Sequence, residues 1–344
     1  MSIEVERLVD GRAEEWNGYV DRAPGGSPFH RHEALSWLAT RTSARVHRLV
    51  GYNGQEPIAV FPVFETRSLG RTLVVSPPPM LESVPLGPAF LEFGETKRRK
   101  VERYRTEFVE ACDEWLDAHL DPAYVHVRGG TELTDVRPFR WADYDATPFY
   151  TYGVDLTPDR EEILARFSSD ARSNVRSEGD ATIREGDADD VERIVAQVAR
   201  RHREQDEPYP LSPGAVRDLY ERLPDGRIRP YVCAVDGRMV CGMVTVDDGE
   251  TVHRWQGGVK YGGDLPAADL LDWHIMREAK AAGRTRYDLV GANMPRLCRY
   301  KAKFGPEPLV YFNIKRRSGL REFVSGAQAL ADDLSERASD LIGE

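Results

Sequence analysis

The sequence predicts an α/β chain of two tandem units, each a mixed, mostly antiparallel sheet flanked by helices. Three observations carry this. Two-residue hairpin signals, Asn53-Gly54 and Asp236-Gly237, stand one in each half between apolar runs, and such turns favour residues that tolerate positive φ. Each hairpin is followed by a long amphipathic stretch, KRRKVERYRTEFVEACDEWLDAHL or LPAADLLDWHIMREAKAAG, and then by a strand running into glycine, AYVHVRGG or TRYDLVGA. The length, 344 residues, suits two domains better than one.

The elements follow in one order in both halves: helix, hairpin, strand, helix, strand, strand. In the first half these are HEALSWLATRT, RVHRLVGYNGQEPIAVFPVFE, RTLVVSPPP, the long helix, AYVHVRGG and PFYTYGVDL. In the second, SPGAVRDLYERLP opens with a Ser-Pro helix start. A hairpin about Asp236-Gly237 follows, then TVHRWQGGV, a helix begun by Pro266 and ended by Gly283, TRYDLVGA and PLVYFNIKRR. Matched element order and turn chemistry, rather than residue identity, make the repeat. The boundary is expected near Tyr150–Leu156, giving a domain over 1–150 and another over 151–318, with TPDREEILARFSSDARSNVRSEG as a helical entry. A C-terminal amphipathic helix is expected over 319–344.

Composition narrows the class. A hydrophobic content of 41% with 30% charged residues describes a globular chain. No apolar run approaches the roughly 20 residues that span a bilayer, and the acidic start MSIEVERLVDGRAEEW lacks a signal-like apolar core. The expected location is cytoplasmic. Net charge is −10, and seven of the 47 basic residues are lysine. That balance argues against non-specific nucleic-acid binding, DNA included. Cys112, Cys233, Cys241 and Cys298 match no zinc spacing and are expected as free thiols; no metal is expected. The oligomeric state is left open.

In this acidic chain, positive charge gathers beyond one strand. YDLVGANM ends at Gly291, and Arg296, Arg299, Lys301 and Lys303 follow before Phe304-Gly305. Lys301 and Lys303 would face opposite ways if the run were extended. Lys301 is the first candidate to bind a phosphate or stabilise an oxyanion, with Arg299 as a further anion contact and Tyr300 as a wall. Asp288, inside the strand, needs a partner there: it is either paired structurally with an arginine or a catalytic base. The helix start after Pro266 offers free N–H groups to an anion through Ala267 and Ala268, and Gly262 and Gly263 allow close approach. Arg172 and Arg176, one turn apart, are a candidate grip on phosphate or carboxylate. Trp255 and Gln256 at a strand end are candidate substrate contacts. So is His30, which with His32 lacks further ligands for a metal.

These stretches resemble the Fem-type branch of the GNAT acyltransferases, peptidoglycan-bridge aminoacyl transferases and their acetyltransferase-like relatives. The resemblance rests on DARSNVRSEGD, VDGRMVCG, LPAADLLDWHIMREAKAAGRTRYDLVGA and Tyr300-Lys301-Ala302-Lys303-Phe304-Gly305. SPFHRHEALSW, AVFPVF and VVSPPPMLESVPLGP match more loosely. It covers about residues 15–317. It implies two GNAT-like domains, the first degenerate and the second catalytic. It further implies an N-acyltransferase moving an acyl group from acyl-CoA, acetyl-CoA foremost, to an amine of a small polar acceptor. Gly262, Gly263, Ala267, Ala268 and Gly291 would hold the cofactor, and Lys301 would act in catalysis. The loop GGVKYGGDLPAADLL departs from the Q/R-x-x-G-x-G/A pattern that wraps pyrophosphate in single-domain relatives. The resemblance admits an aminoacyl-tRNA donor as an alternative, for which the basic run Lys97–Arg105 is the place to look, and a non-catalytic binding protein as a second.

Overall fold

The computed structural model describes residues 2–81, 84–94, 96–177, 181–259, 262 and 264–317. Gly263 and the helix expected over 319–344 lie outside them. Two compact units divide the described residues: those up to Phe149 together with 310–317, and Tyr150–Leu309.

The first unit holds β1 (Glu4–Leu8), α1 (Ala13–Val20), α2 (His32–Thr42), β2 (Arg45–Asn53), β3 (Glu56–Ser68), β4 (Arg71–Ser76), β5 (Ala89–Phe90), α3 (Arg98–His119), β6 (Tyr124–Arg128) and α4 (Arg137–Trp141). The β2–β3 turn is the expected one, with Gly54 at φ 65°. Ile58 to Phe64 of β3 are all buried, because the strand is covered on both faces. Tyr104, Phe108, Cys112 and Leu116 of α3 recur at helical spacing and fill one core, while α1 and α2 lie against β3 and β2. A strand buried on both sides reads as a continuous apolar run rather than an alternation.

A strand β7 (Asp145–Asp155) leads into the second unit. There follow α5 (Arg160–Arg166), α6 (Ser169–Val175), β8 (Ala181–Glu185), α7 (Ala188–Glu204), α8 (Pro213–Arg222), β9 (Ile228–Val235), β10 (Arg238–Asp247), β11 (Thr251–Gly257), α9 (Ala267–Ala281), β12 (Arg286–Asp288), α10 (Pro295–Lys301) and β13 (Glu307–Arg317). Ser212 caps α8 by accepting from the Ala215 amide, and Asp236-Gly237 turns β9 into β10 at φ 50° and 72°.

The repeat is visible in the pairings. In each unit an antiparallel run is followed by a strand, a long helix and a second strand parallel to the first: β4 with β6 around α3, and β11 with β12 around α9. The strands closing the pattern differ from the sequence expectation. β6 is flanked by β13, through Asn313–Arg317, and β12 by β7, through Gly153–Asp155. Residues 310–317, expected with the second domain, therefore belong to the first unit.

The single entry helix expected over 157–179 is two. Phe167 is extended at ψ 152°, and the Ser168 side chain caps a new helix at the Ala171 amide. Helix α7 went unread, although Asp187 caps it reciprocally with Asp190, and Val191, Ile194, Val195 and Val198 mark its buried face. The four cysteines are free; Cys233 and Cys241 are buried register partners on β9 and β10. Among the described residues no helix is long and apolar enough to cross a membrane.

Candidate active site

The second unit contains a cavity of about 640 Å³. Its origin is the parting of two strands. β11 pairs with β12 only through Thr251–His253. β11 then continues to Gly257, whereas the chain after β12 turns away at Val290 and Gly291, with φ 52° and 80°. Arg254 to Gly258 line one side and Leu289 and Val290 the other; the start of α9, α10 and the end of α7 complete the wall. A β-bulge sits at this rim. Val244 is opposite Gln256 and Thr245 opposite Arg254, which leaves Trp255 as the extra residue. Bulges re-aim side chains next to sites, and Trp255 and Gln256 both line the cavity.

Gly257 closes the bulge at φ 128°, where a Cβ would fall 2.2 Å from the Gly242 carbonyl oxygen. Backbone in that region is costly for any other residue. Gly257→Ala is expected to cost at least about 1–3 kcal/mol, read as a lowered denaturation midpoint.

Lys301 ends α10 and is 2% exposed. Its Nζ donates to the Val290 carbonyl at 2.5 Å and the Gly291 carbonyl at 2.9 Å. Burial first, and then repulsion from Arg254, lowers its pKa to about 7 against the pull of Asp288 and Asp272. The extended run in which Lys303 would face away from Lys301 does not form, because Pro295 starts a helix. Both lysines line the cavity. Lys303 is committed: its Nζ donates to Asp269 Oδ1 at 2.5 Å and lies 3.8 Å from the Tyr300 ring centre.

Asp288 is buried and saturated. It accepts from Thr151 Oγ1 at 2.5 Å and the Val290 amide at 2.7 Å, and lies 3.4 Å from His253 Nδ1. Burial would raise its pKa, but the His253 hydrogen bond and charge, helped by Thr151 and the Val290 amide, hold it below the usual value. It is also not among the residues lining the cavity. Its partners are a histidine, a threonine and a backbone amide rather than the arginine expected, and Asp288 positions the turn that carries the Lys301 acceptors.

His253 lies between two carboxylates, Asp248 at 2.8 Å and Asp288 at 3.4 Å. Burial opposes its charge, yet the two acids raise its pKa to about 10 from an ordinary 6.5. A raised folded pKa gives stability that is complete below about pH 6.5 and disappears as pH rises toward about 10. His253→Gln is therefore expected to separate from wild type most in urea unfolding near pH 6, with the gap closing toward pH 10.

Arg254 was not anticipated. Its Nε donates to Asp272 Oδ1 at 3.1 Å, and Asp272, 0% exposed, also accepts from Tyr287 OH at 2.7 Å. A buried carboxylate on α9 thus holds a cation at the cavity. The signal was a charged residue in an otherwise buried strand end, TVHRWQG, answered by an aspartate inside the apolar stretch LLDWHIM.

The α9 start is less open than expected. The amides of Ala267, Asp269 and Leu270 are spent on Leu265 and Pro266 carbonyls at 2.8 to 3.1 Å. Of the first four, only the Ala268 amide lacks such a partner among the described residues. Asp269, buried in this turn, accepts from Lys303, from Tyr300 OH at 3.3 Å and from Asn174 at 2.7 Å, so a carboxylate already complements the helix dipole. Ala267, Ala268 and Tyr300 line the cavity; Gly262 and Gly291 are not among its lining residues.

Other expected contacts fall elsewhere. Arg172 Nη1 is spent on the carbonyls of Phe167 and Ala165, at 2.5 and 3.3 Å. Arg176 is exposed, 3.9 Å from Glu161, and Arg299 is exposed. None of the three is among the lining residues: helix α5 ends in carbonyls that attract Arg172, and α6 is too short to carry Arg176 inward. His30 belongs to the first unit and is 2% exposed, bonded to Ser27 Oγ at 2.9 Å and the Gly87 carbonyl at 3.0 Å. Burial lowers its pKa to about 4, against the raising effect of the Gly87 carbonyl, which makes it a neutral pin for a turn.

Comparison with known proteins adds the class. Residues 166–302 match the family model for the acetyltransferase (GNAT) domain. Among solved structures the chain is similar to FemX, with a TM-score of 0.70 and 12% identity over 90% of this chain and 96% of that one. It is also similar to L-PGS from Bacillus licheniformis, with a TM-score of 0.53 and 13% identity over 98% of each chain. No curated protein sequence matches it. At such identities the structures speak for the fold alone, while the family model covers the elements that build the cavity. Residues 166–302 thus carry an acetyltransferase (GNAT) domain, which supports an acyltransferase, and the chain has the fold of FemX.

Proposed function

We propose that the second-unit cavity transfers an activated acyl group directly to the amine of a small polar acceptor. The observation that carries this reading is Lys301, buried at the cavity wall with two of its N–H bonds fixed on the Val290 and Gly291 carbonyls. When protonated, the amine has one N–H left for a ligand. The acceptor nitrogen attacks the acyl carbonyl, a C–N bond forms, and charge grows on the carbonyl oxygen. In this reading the remaining Lys301 N–H meets that charge. The bond to the donor's leaving group then breaks, and the proton given up by the acceptor nitrogen passes to that leaving group. No covalent enzyme intermediate is needed.

The leading donor is acyl-CoA, acetyl-CoA foremost. One observation favours aminoacyl-tRNA as a second reading: the α9 start has spent three of its first four amides and holds Asp269, a poor cradle for pyrophosphate. Against tRNA, the net charge is −10. Arg98 and Arg103 in the basic run of α3 also pair with Glu102 and Glu107 on the same helix. Titrating the purified chain with acetyl-CoA and, separately, with aminoacylated tRNA decides between them. Saturable acetyl-CoA binding without tRNA binding is expected; salt-sensitive tRNA binding with none to acetyl-CoA would reverse the order. Failure of both to bind would remove the proposal.

A further inference from the structure

We propose that Arg254 and Gln256 form a carboxylate-binding subsite of the cavity, so that a substrate of this chain carries a carboxylate. The inference rests on the cavity being the reaction site. Both residues line it, and each is fixed at one end and unspent at the other. Arg254 Nε is held by Asp272 at 3.1 Å, and its two terminal nitrogens meet no acceptor among the described residues. Gln256 is 5% exposed. Its Oε1 accepts from Tyr209 OH at 2.7 Å, which leaves the buried Nε2 with no acceptor among the described residues.

Both unspent ends are donors, and leaving the buried Gln256 Nε2 unpaired is costly. The ligand that satisfies them brings acceptor oxygens. The outer fork of the guanidinium is left for a ligand, since Asp272 engages it through Nε. The rest of the wall agrees in sign: Arg201, Arg296, Lys301 and Lys303 stand with Arg254 against Asp264 and Asp269. A planar fork presenting parallel N–H bonds, with one amide donor beside it, matches a two-oxygen carboxylate. Gly258 makes room for this fork. At φ 74°, its added Cβ would fall 1.7 Å from Arg254 Nη2 and 2.7 Å from Cζ, so any larger residue would displace the guanidinium.

Calorimetric titration of the full chain with glutarate, its neutral diamide glutaramide, and glycerol phosphate tests this without an acyl donor. Glutarate is expected to bind saturably, at least about tenfold more tightly than glutaramide, as expected for hydrogen bonds to a charged group. Gln256→Glu still accepts from Tyr209 but sets a negative charge against the ligand. Arg254→Lys keeps a cation beside Asp272 and loses the fork. Each is expected to weaken glutarate binding at least about tenfold, with thermal melts reporting that the fold persists. Absence of glutarate binding at millimolar concentration, equal binding of glutaramide, binding of glycerol phosphate alone, or unchanged affinity in the folded variants would overturn the subsite. Loss of the acyl-transfer reading through failed donor binding would leave the glutarate result standing, and the reverse holds equally.

Discussion

Lys301→Gln is expected to lower kcat about 10²–10³-fold, the loss that follows removal of one oxyanion donor, with a much smaller change in KM. Glutamine is the informative replacement because its amide can still donate to the Val290 and Gly291 carbonyls that Lys301 holds. Alanine would leave both acceptors unpaired and mix a folding defect into the kinetics. The pH profile separates the two roles open to the amine. Its folded pKa is about 7. If the ammonium meets the oxyanion, kcat falls about tenfold per unit as pH rises above 7, and this limb vanishes in Lys301→Gln. A lysine-dependent profile that instead rises through 7 would make the neutral amine a base and end the oxyanion role. Stability moves in its own direction. Between about 7 and the ordinary 10.5 the unfolded chain keeps a proton the folded chain has lost, so the Lys301 penalty shrinks as pH rises across that window.

Much of this arrangement was legible in the sequence, for reasons that differ by residue. Hairpins at Asn53-Gly54 and Asp236-Gly237, and helices with Phe108 and Cys112 or Leu271 and Ile275 at helical spacing, are local signals, and they held. Exchange of the closing strands β7 and β13 was not legible, because both are apolar strands that fit either sheet. Lys301, Trp255, Gln256 and Tyr300 line one cavity. Arg172 and Arg176 do not, since helical spacing gives a shared face but not its neighbour: the carbonyls closing α5 claim Arg172 first. Arg254 was passed over because a charge inside a strand becomes meaningful only once its partner, Asp272, 18 positions later, is known.

Asp272→Ala is expected to cost about 3–5 kcal/mol of stability, the penalty for breaking a buried ion pair from one side. Asp272 is 0% exposed, and its Oδ1 serves both Arg254 Nε and Tyr287 OH. Alanine strands a guanidinium with little access to water and a fully buried phenol on β12. Asp272→Asn, which keeps the acceptor oxygen and loses the charge, should fall between alanine and wild type. The double change Asp272→Leu with Arg254→Met should cost less than Asp272→Ala alone, because removing both charges removes the desolvation each would suffer unpaired. Urea unfolding of the single and double variants closes the cycle, and additive losses would mean the pair is not coupled. The same double variant, stable or not, is expected to bind no glutarate. A double variant that folds yet binds no glutarate would make the ion pair dispensable for folding and assign it to holding a cation at the cavity wall.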